Sequence, residues 1–231
     1  MSVERNLLIS LLKLTKNGAV GLELLKNDAK IPLSTTSFLL QELQKEYLIK
    51  VNGWVAIVDT DNRIKLAVKA VELGADLEQI SHFLGWQEFE AMAAMALELN
   101  GYVTKKNARF KHEEKRWEID VVGCRKPLVL CVECKHWHHS MVPSTLSKMA
   151  QTQSQRADAL SKSLPIKSLR LPCAEWSRAK FVPIILSLVP FNPKYSNGIP
   201  VVPVLQLQDF VSQLPLNVES LLNFTREFSH L

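Results

Sequence analysis

Asp120 stands thirteen positions ahead of a Glu133-Cys134-Lys135 triplet, and both lie in short β-like runs, residues 117–122 and 128–135. The intervening Gly123-Cys124-Arg125-Lys126-Pro127 is turn chemistry, so the two runs are expected to pair as an antiparallel hairpin. With the turn centred on Arg125–Lys126, Asp120 lies across from Cys131, and Glu133 is its diagonal neighbour, roughly 7–8 Å away on the same face. Glu133 and Lys135 are two apart on a strand and emerge together. Two carboxylates and one ammonium can therefore converge on one point. Phosphodiester hydrolysis asks for an activated water, charge neutralisation at the phosphorus and stabilisation of the leaving oxygen. Mg2+, or Mn2+ in its place, held by Asp120, Glu133 and the backbone carbonyl of Cys134 would supply much of this, with Lys135 orienting the water.

A further acid is expected from the preceding helix. Residues 86–100 carry a long helical pattern closed by Gly101 in a cap position. Glu90 sits near its start, and Ala93, Ala94 and Leu97 follow at spacings that share its side. Small alanines let that face approach a sheet closely, so Glu90 is expected to look inward and assist the cation directly or through water. Glu88 competes, but its helical rotation aims it elsewhere. The catalytic set is thus Glu90, Asp120, Glu133 and Lys135.

The elements around this set fall into order along the chain. Leu7, Leu8, Leu11, Leu12 and Leu14 recur at helical spacing up to Asn17-Gly18, and residues 20–28 form a second helical pattern. Pro32 opens a boundary, and Ser34 or Thr35 can cap a third helix carrying Phe38, Leu39, Leu43 and Leu48. Residues 48–51 and 54–58 flank Asn52-Gly53, a two-residue hairpin signal. Connecting helices are expected over 61–74 and 76–84. After the acidic hairpin come a polar helix over about 144–163, strands over 181–189 and 199–205, and a short helix over 208–214.

Two resemblances follow from these patterns. Three helices and a ribbon resemble a winged helix-turn-helix module in order. The set Phe89-Glu90, Asn100-Gly101-Tyr102, Glu118-Ile119-Asp120 and Val132-Glu133-Cys134-Lys135 is similar to the PD-(D/E)XK nuclease superfamily, most like archaeal Holliday-junction resolvases and Mrr-type restriction endonucleases. Ile119 stands where the family name has proline. The resemblance covers about residues 86–210. It implies an α/β fold, a restriction-endonuclease-like mixed sheet flanked by helices, preceded by a small winged-helix (α+β) domain. The expected division is 1–60 for that domain, 61–85 for a helical connector and 86–231 for the nuclease domain. It also implies a homodimer acting on DNA, and a glutamine on the next helix, for which Gln151 and Gln155 both qualify.

Further candidates concern DNA contact. Lys105, Lys106 and Arg109 belong to a basic stretch, with Lys111, Lys115 and Arg116, that can grip phosphate without reading sequence. The competing reading is an exposed hairpin edge protected by charge. Thr35, Thr36, Gln41 and Lys45 are expected on the outward side of a recognition helix, although its few cations leave contact with a protein partner as an alternative role. His136, Trp137, His138 and His139 diverge along a strand and read as a cleft edge rather than a metal cluster. Cys131 and Cys134, three apart on a strand, point to opposite faces and do not make a zinc pair.

The chain has 231 residues, a hydrophobic content of 47%, a charged content of 22%, a formal charge of +5 and a pI near 9.0. Those values fit a globular chain with polyanionic partners. No apolar run is long enough to cross a bilayer and no leader pattern opens the chain, so a cytoplasmic protein without membrane contact is expected. The expected activity is divalent-metal-dependent DNA cleavage. A DNA-binding or scaffold protein that keeps the shape without turnover is the rival, with Glu133–Lys135 a structural ion pair.

Overall fold

A computed structural model describes residues 2–135, 142–187 and 190–228, apart from the side chains of 77, 78, 81 and 205. The chain is mixed α/β and divides into two compact units, Met1–Phe89 and Glu90–Leu231. No helix among the described residues is long and apolar enough to cross a membrane. The histidine-rich stretch at 136–139 lies outside the described residues.

The first unit opens with α1 (Val3–Leu14), β1 (Val20–Gly21), α2 (Leu22–Ala29), α3 (Leu33–Lys45), β2 (Lys50–Asn52) and β3 (Val55–Ile57). Its three strands run in the order β1-β3-β2. Val20, read as helical, instead pairs with Ala56, and α2 starts only at Leu22. The ribbon turn is also displaced by one residue. Asn52 pairs with Val55, so Gly53 and Trp54 form the turn, with Gly53 at φ +60 as the first central position of a II′ turn requires. Pro32, not Ser34 or Thr35, occupies the N-cap position of α3. The inward stripe of α3 is Thr36, Leu40 and Leu43, at i, i+4 and i+7, which leaves Phe38 exposed and buries Thr36 completely. Thr36 Oγ1 donates to the Pro32 carbonyl at 3.0 Å. Thr36 is therefore not an outward residue.

The stretch read as a connector forms α4 (Thr60–Glu72) and α5 (Leu77–Phe83), and both pack on α1 within this unit. Their anchor is Arg63, 4% exposed. It donates to the Glu88 carboxylate at 2.5 Å, the Leu12 carbonyl at 2.9 Å, Thr15 Oγ1 at 2.7 Å and the Phe83 carbonyl at 2.7 Å. The other Glu88 oxygen accepts the Gly85 N–H at 2.6 Å. Glu88 is thus occupied inside the first unit.

The second unit continues from α6 (Trp86–Leu99) into β4 (Val103–His112), β5 (Lys115–Arg125), β6 (Leu128–Lys135), α7 (Pro143–Ser163), β7 (Arg178–Ser187), β8 (Tyr195–Ser196), β9 (Ile199–Pro203), α8 (Leu207–Asn217) and β10 (Phe224–Glu227). The strands make a seven-stranded mixed sheet, β4-β5-β6-β7-β9-β8, with β10 also on β7. β4, β5 and β6 are antiparallel neighbours, whereas β6, β7 and β9 run parallel, with α7 in the β6–β7 crossover.

Leu128–Glu133 is buried throughout, as expected of a central strand covered on both faces. On one face Ala157 and Leu160 of α7 join Val122, Cys124, Val129, Cys131 and Phe181 in a common core. Gly123 has the opposite orientation by strand alternation, and a Cβ there would meet Leu97 of α6 at 3.0 Å. α6 therefore lies on the other face, close against β5. Its end is fixed by Gly101 at φ +80 and by Arg125, which donates to the Asn100 carbonyl at 2.9 Å.

Pro183 lies inside β7, where a proline normally breaks a ladder. The Lys180 N–H donates to the Pro127 carbonyl at 2.8 Å, so even-numbered N–H groups of β7 face β6 and the missing one at Pro183 faces the other side. There β10 pairs with Arg178–Phe181 and β9 with Ile185–Ser187. Pro183 falls in the gap between them.

Candidate functional site

The turn between β5 and β6 lies one residue later than the sequence reading placed it. Arg125 pairs with Leu128 around Lys126–Pro127, and Val121 pairs with Val132. Continuing that register sets Asp120 opposite Glu133 rather than Cys131. The partner shifts by two positions.

Asp120 is omitted from both of its ladders. The β4–β5 pairs pass from Lys106–Val121 to Ala108–Ile119, skipping Asn107 and Asp120, and Asn107 adopts φ +50. The β5–β6 pairs stop at Val121–Val132 although β6 runs on to Lys135. The strands fork at Asp120. In the fork its Oδ2 accepts the Cys134 N–H at 2.8 Å, which leaves Oδ1 for another contact. A strand residue directs its N–H and C=O to the same side, so the Cys134 carbonyl also faces the Asp120 side.

Glu90 reaches this fork from α6. Leu97 marks where the helix meets Gly123. Seven helical residues back from Leu97 is about 10.5 Å, and three strand residues back from Gly123 is about 10 Å, so Glu90 arrives level with Asp120. Glu90 is 5% exposed and Glu133 7%. Burial, then Asp120, Glu118 and Glu133, push the Glu90 carboxyl up to about 7 against the pull of Lys106. Asp120 is raised by burial and by Glu133, with the Cys134 N–H, Lys135 and Arg156 opposing. The Cys134 thiol is raised well above its ordinary range by burial and by the same three carboxylates.

Glu133 is held by two cations. Lys135 Nζ lies 2.5 Å from its Oε1, and Arg156 of α7 bonds its Oε2. The ion pair considered as the rival reading is thus present, and Arg156 is an additional member. Arg156 also lies 3.5 Å from the Oε1 of Gln153, which is fully buried and donates to the Cys131 carbonyl at 2.7 Å. Gln151 and Gln155 are both exposed. The inward glutamine was legible, because Leu146, Ala150, Gln153, Ala157 and Leu160 recur at helical spacing.

The donor set suits a hard divalent cation in kind and in charge. Asp120, Glu133, Glu90 and the Cys134 carbonyl are all oxygen donors, and the Glu90 and Asp120 carboxyls are raised by burial and by their acidic neighbours. It is not closed into a cage: among the described residues no three acidic, histidine or cysteine side chains are grouped to hold a metal. Lys135 and Arg156 occupy Glu133 instead.

The other candidates lie at varied distances from the fork. Lys105, Lys106 and Arg109 are exposed on β4, and of these Lys106 acts on Glu90 while Arg109 is tied to Glu118 at 3.0 Å. In the first unit Gln41 and Lys45 are exposed and Thr35 half-buried, with Lys45 bound to Glu42 at 2.7 Å.

The raised Glu90 carboxyl has a consequence for stability. The fold favours its protonated form, so this contribution is full below pH 4.5 and is lost as pH rises through about 7. The loss is at most about 3 kcal/mol. Glu90→Gln is expected to flatten that part of the pH profile in thermal melts with chelator present. An unchanged slope would show that Glu90 is not the titrating group.

Comparisons with known proteins attach no activity to this arrangement. No family model matches the chain. An uncharacterized protein of Archaeoglobus fulgidus is 31% identical over 130 residues, which span 56% of this chain and 91% of that protein. The crystal structure of AF1548, a protein of unknown function, is similar at 19% identity and a TM-score of 0.31, over 55% of this chain and 54% of its own. That of VC1899 from Vibrio cholerae gives 14% identity and a TM-score of 0.41, over 94% of this chain and 52% of its own. The chain spans about half the length of each solved structure.

Proposed function

We propose that this chain, which belongs to the same family as the uncharacterized Archaeoglobus fulgidus protein, is a divalent-metal-dependent DNA endonuclease of the PD-(D/E)XK type. The observation that carries the reading is the fork: Asp120 leaves both of its ladders within electrostatic reach of Glu133, Lys135 and Glu90. A restriction-endonuclease-like arrangement is supported by a mixed sheet with α6 and α7 on opposite faces of β5. A winged-helix reading of the first unit is supported by the order α1-β1-α2-α3-β2-β3.

Asp120, Glu133 and the Cys134 carbonyl would hold Mg2+ or Mn2+, with Glu90 directly or through water. That ion would supply charge neutralisation at the phosphate and a more acidic water. The chain's own residues do the rest. The Cys134 N–H fixes the rotation of Asp120. Lys135 places a positive charge beside the attacking water, and Glu90 accepts a proton near neutral pH. Lys105 and Lys106, on the exposed edge strand, hold backbone phosphates. Action on DNA as a cytoplasmic homodimer is part of the proposal, as is a protein-contact role for Gln41 and Lys45 should they not touch DNA.

The test is a cleavage assay on duplex, junction, flap and single-stranded DNA, and on RNA, with Mg2+ or Mn2+. Product that vanishes on chelation is expected. The double clamp on Glu133 favours a second reading, a DNA-binding scaffold without turnover. Tight, salt-sensitive DNA binding with no product under either metal would establish that reading.

A further inference from the structure

A pocket of about 730 Å³ opens between the β4–β5 ribbon and α7. Lys115, Arg116 and Trp117 line it from β5, and Thr152 and Arg156 from α7. Arg109 contributes too, but its charge is engaged by Glu118 at 3.0 Å. Lys115 and Arg116 have no carboxylate partner among the described residues. Lys115 sits 3.7 Å from the centre of the Trp117 ring, which covers the face that a base would need for stacking. The pocket therefore offers donors rather than a stacking platform.

Arg156 belongs to this pocket and to the carboxylate cluster at once, since it also bonds Glu133 Oε2. One guanidinium is therefore placed where two anions compete for it. We propose that the pocket binds phosphate groups of a nucleic-acid strand, and that its occupant draws Arg156 from Glu133, freeing the Oε2 of that carboxylate for a divalent cation. Filling of the pocket and loading of the cluster then favour the same Arg156 position, and each tightens the other. The role of the freed Glu133 rests on the nuclease reading; the pocket and its tie through Arg156 do not. A phosphodiester and a terminal phosphate share this chemistry.

The experiment uses the full chain, a short single-stranded thymidine oligonucleotide with or without a 5′-phosphate, and Ca2+, which takes oxygen donors. Oligonucleotide binding is followed by fluorescence anisotropy and Ca2+ binding by calorimetry. In the parent, the oligonucleotide is expected to tighten Ca2+ binding by at least about fivefold. Arg156→Gln is expected to bind Ca2+ more tightly than the parent without oligonucleotide and to lose that gain. The Lys115→Ala/Arg116→Ala double variant should keep the parent's Ca2+ affinity alone, bind oligonucleotide more weakly, and show a salt slope lower by about one to two. Equal binding with and without the 5′-phosphate assigns the pocket to the strand backbone, and a marked preference for it assigns the pocket to a strand end.

Full retention of the gain in Arg156→Gln overturns the link, and unchanged oligonucleotide binding by the double variant overturns the pocket. Both are separate from the cleavage assay. The expected pattern without any cleaved product would remove the nuclease and leave the pocket standing.

Discussion

Asp120→Asn is expected to abolish cleavage while leaving the fold at least as stable as the parent. The first half follows from charge. Replacing an anionic oxygen donor by a neutral amide forfeits several kcal/mol of charge stabilisation, equivalent to about a thousandfold in rate. The second half follows from the direction of the Asp120 shift. Burial and Glu133 raise its carboxyl, so the fold prefers it protonated, and stability falls as pH climbs past its ordinary value. At neutral pH the ionised group opposes folding. An asparagine at this position keeps an oxygen to accept the Cys134 N–H without that charge. Melting curves at pH 7.5 with chelator, beside cleavage rates with Mg2+, test both halves. Cleavage equal to the parent's would remove Asp120 from the site, and a markedly less stable variant would make it a structural residue.

The largest stability effect is expected at the buried ion pair of the first unit. Arg63→Ala or Glu88→Ala should each destabilise the first unit by about 3–5 kcal/mol. Both side chains are nearly inaccessible, and Arg63 serves four acceptors contributed by the α1 end, α5 and the start of α6. Removing either member leaves its partner charged and dry. The two changes made together, with residues of similar volume such as methionine, should cost clearly less than the two alanine effects added. Urea unfolding of the full chain followed by circular dichroism reads both comparisons. Single-variant losses below about 1 kcal/mol would place this pair with ordinary surface salt bridges.

What could be read in advance was set by periodicity and by chemistry at short range. The length and placement of α1, α6, β6 and β7 followed from apolar patterning and that of α7 from a polar helical stretch, and their observed bounds differ by a few residues. Errors arose where a residue type was taken for a turn signal. Gly123 reads as turn chemistry, yet it lies inside β5, because Leu97 of α6 leaves no room for a side chain. Asn52-Gly53 similarly drew the ribbon turn one residue early. On α3 the apolar Phe38 misled the phase of the stripe, and buried Thr36 completes it.

The site was partly legible for the same reasons. Strand spacing placed Glu133 beside Lys135 without knowledge of the register, and the two side chains lie 2.5 Å apart. Arg156 was not foreseen, since nothing local joins it to a glutamate 23 residues earlier. Helix phase turns Gln153 inward and leaves Gln151 and Gln155 exposed. β8 and β10 are too short to carry a period of their own and exist only by pairing with β9 and β7.

Pro183 has an effect beyond its own strand. With no amide hydrogen to offer at the interval between β10 and β9, β7 cannot template a continuous incoming strand along that margin. The interval that neither β9 nor β10 covers therefore holds no unpaired amide hydrogen.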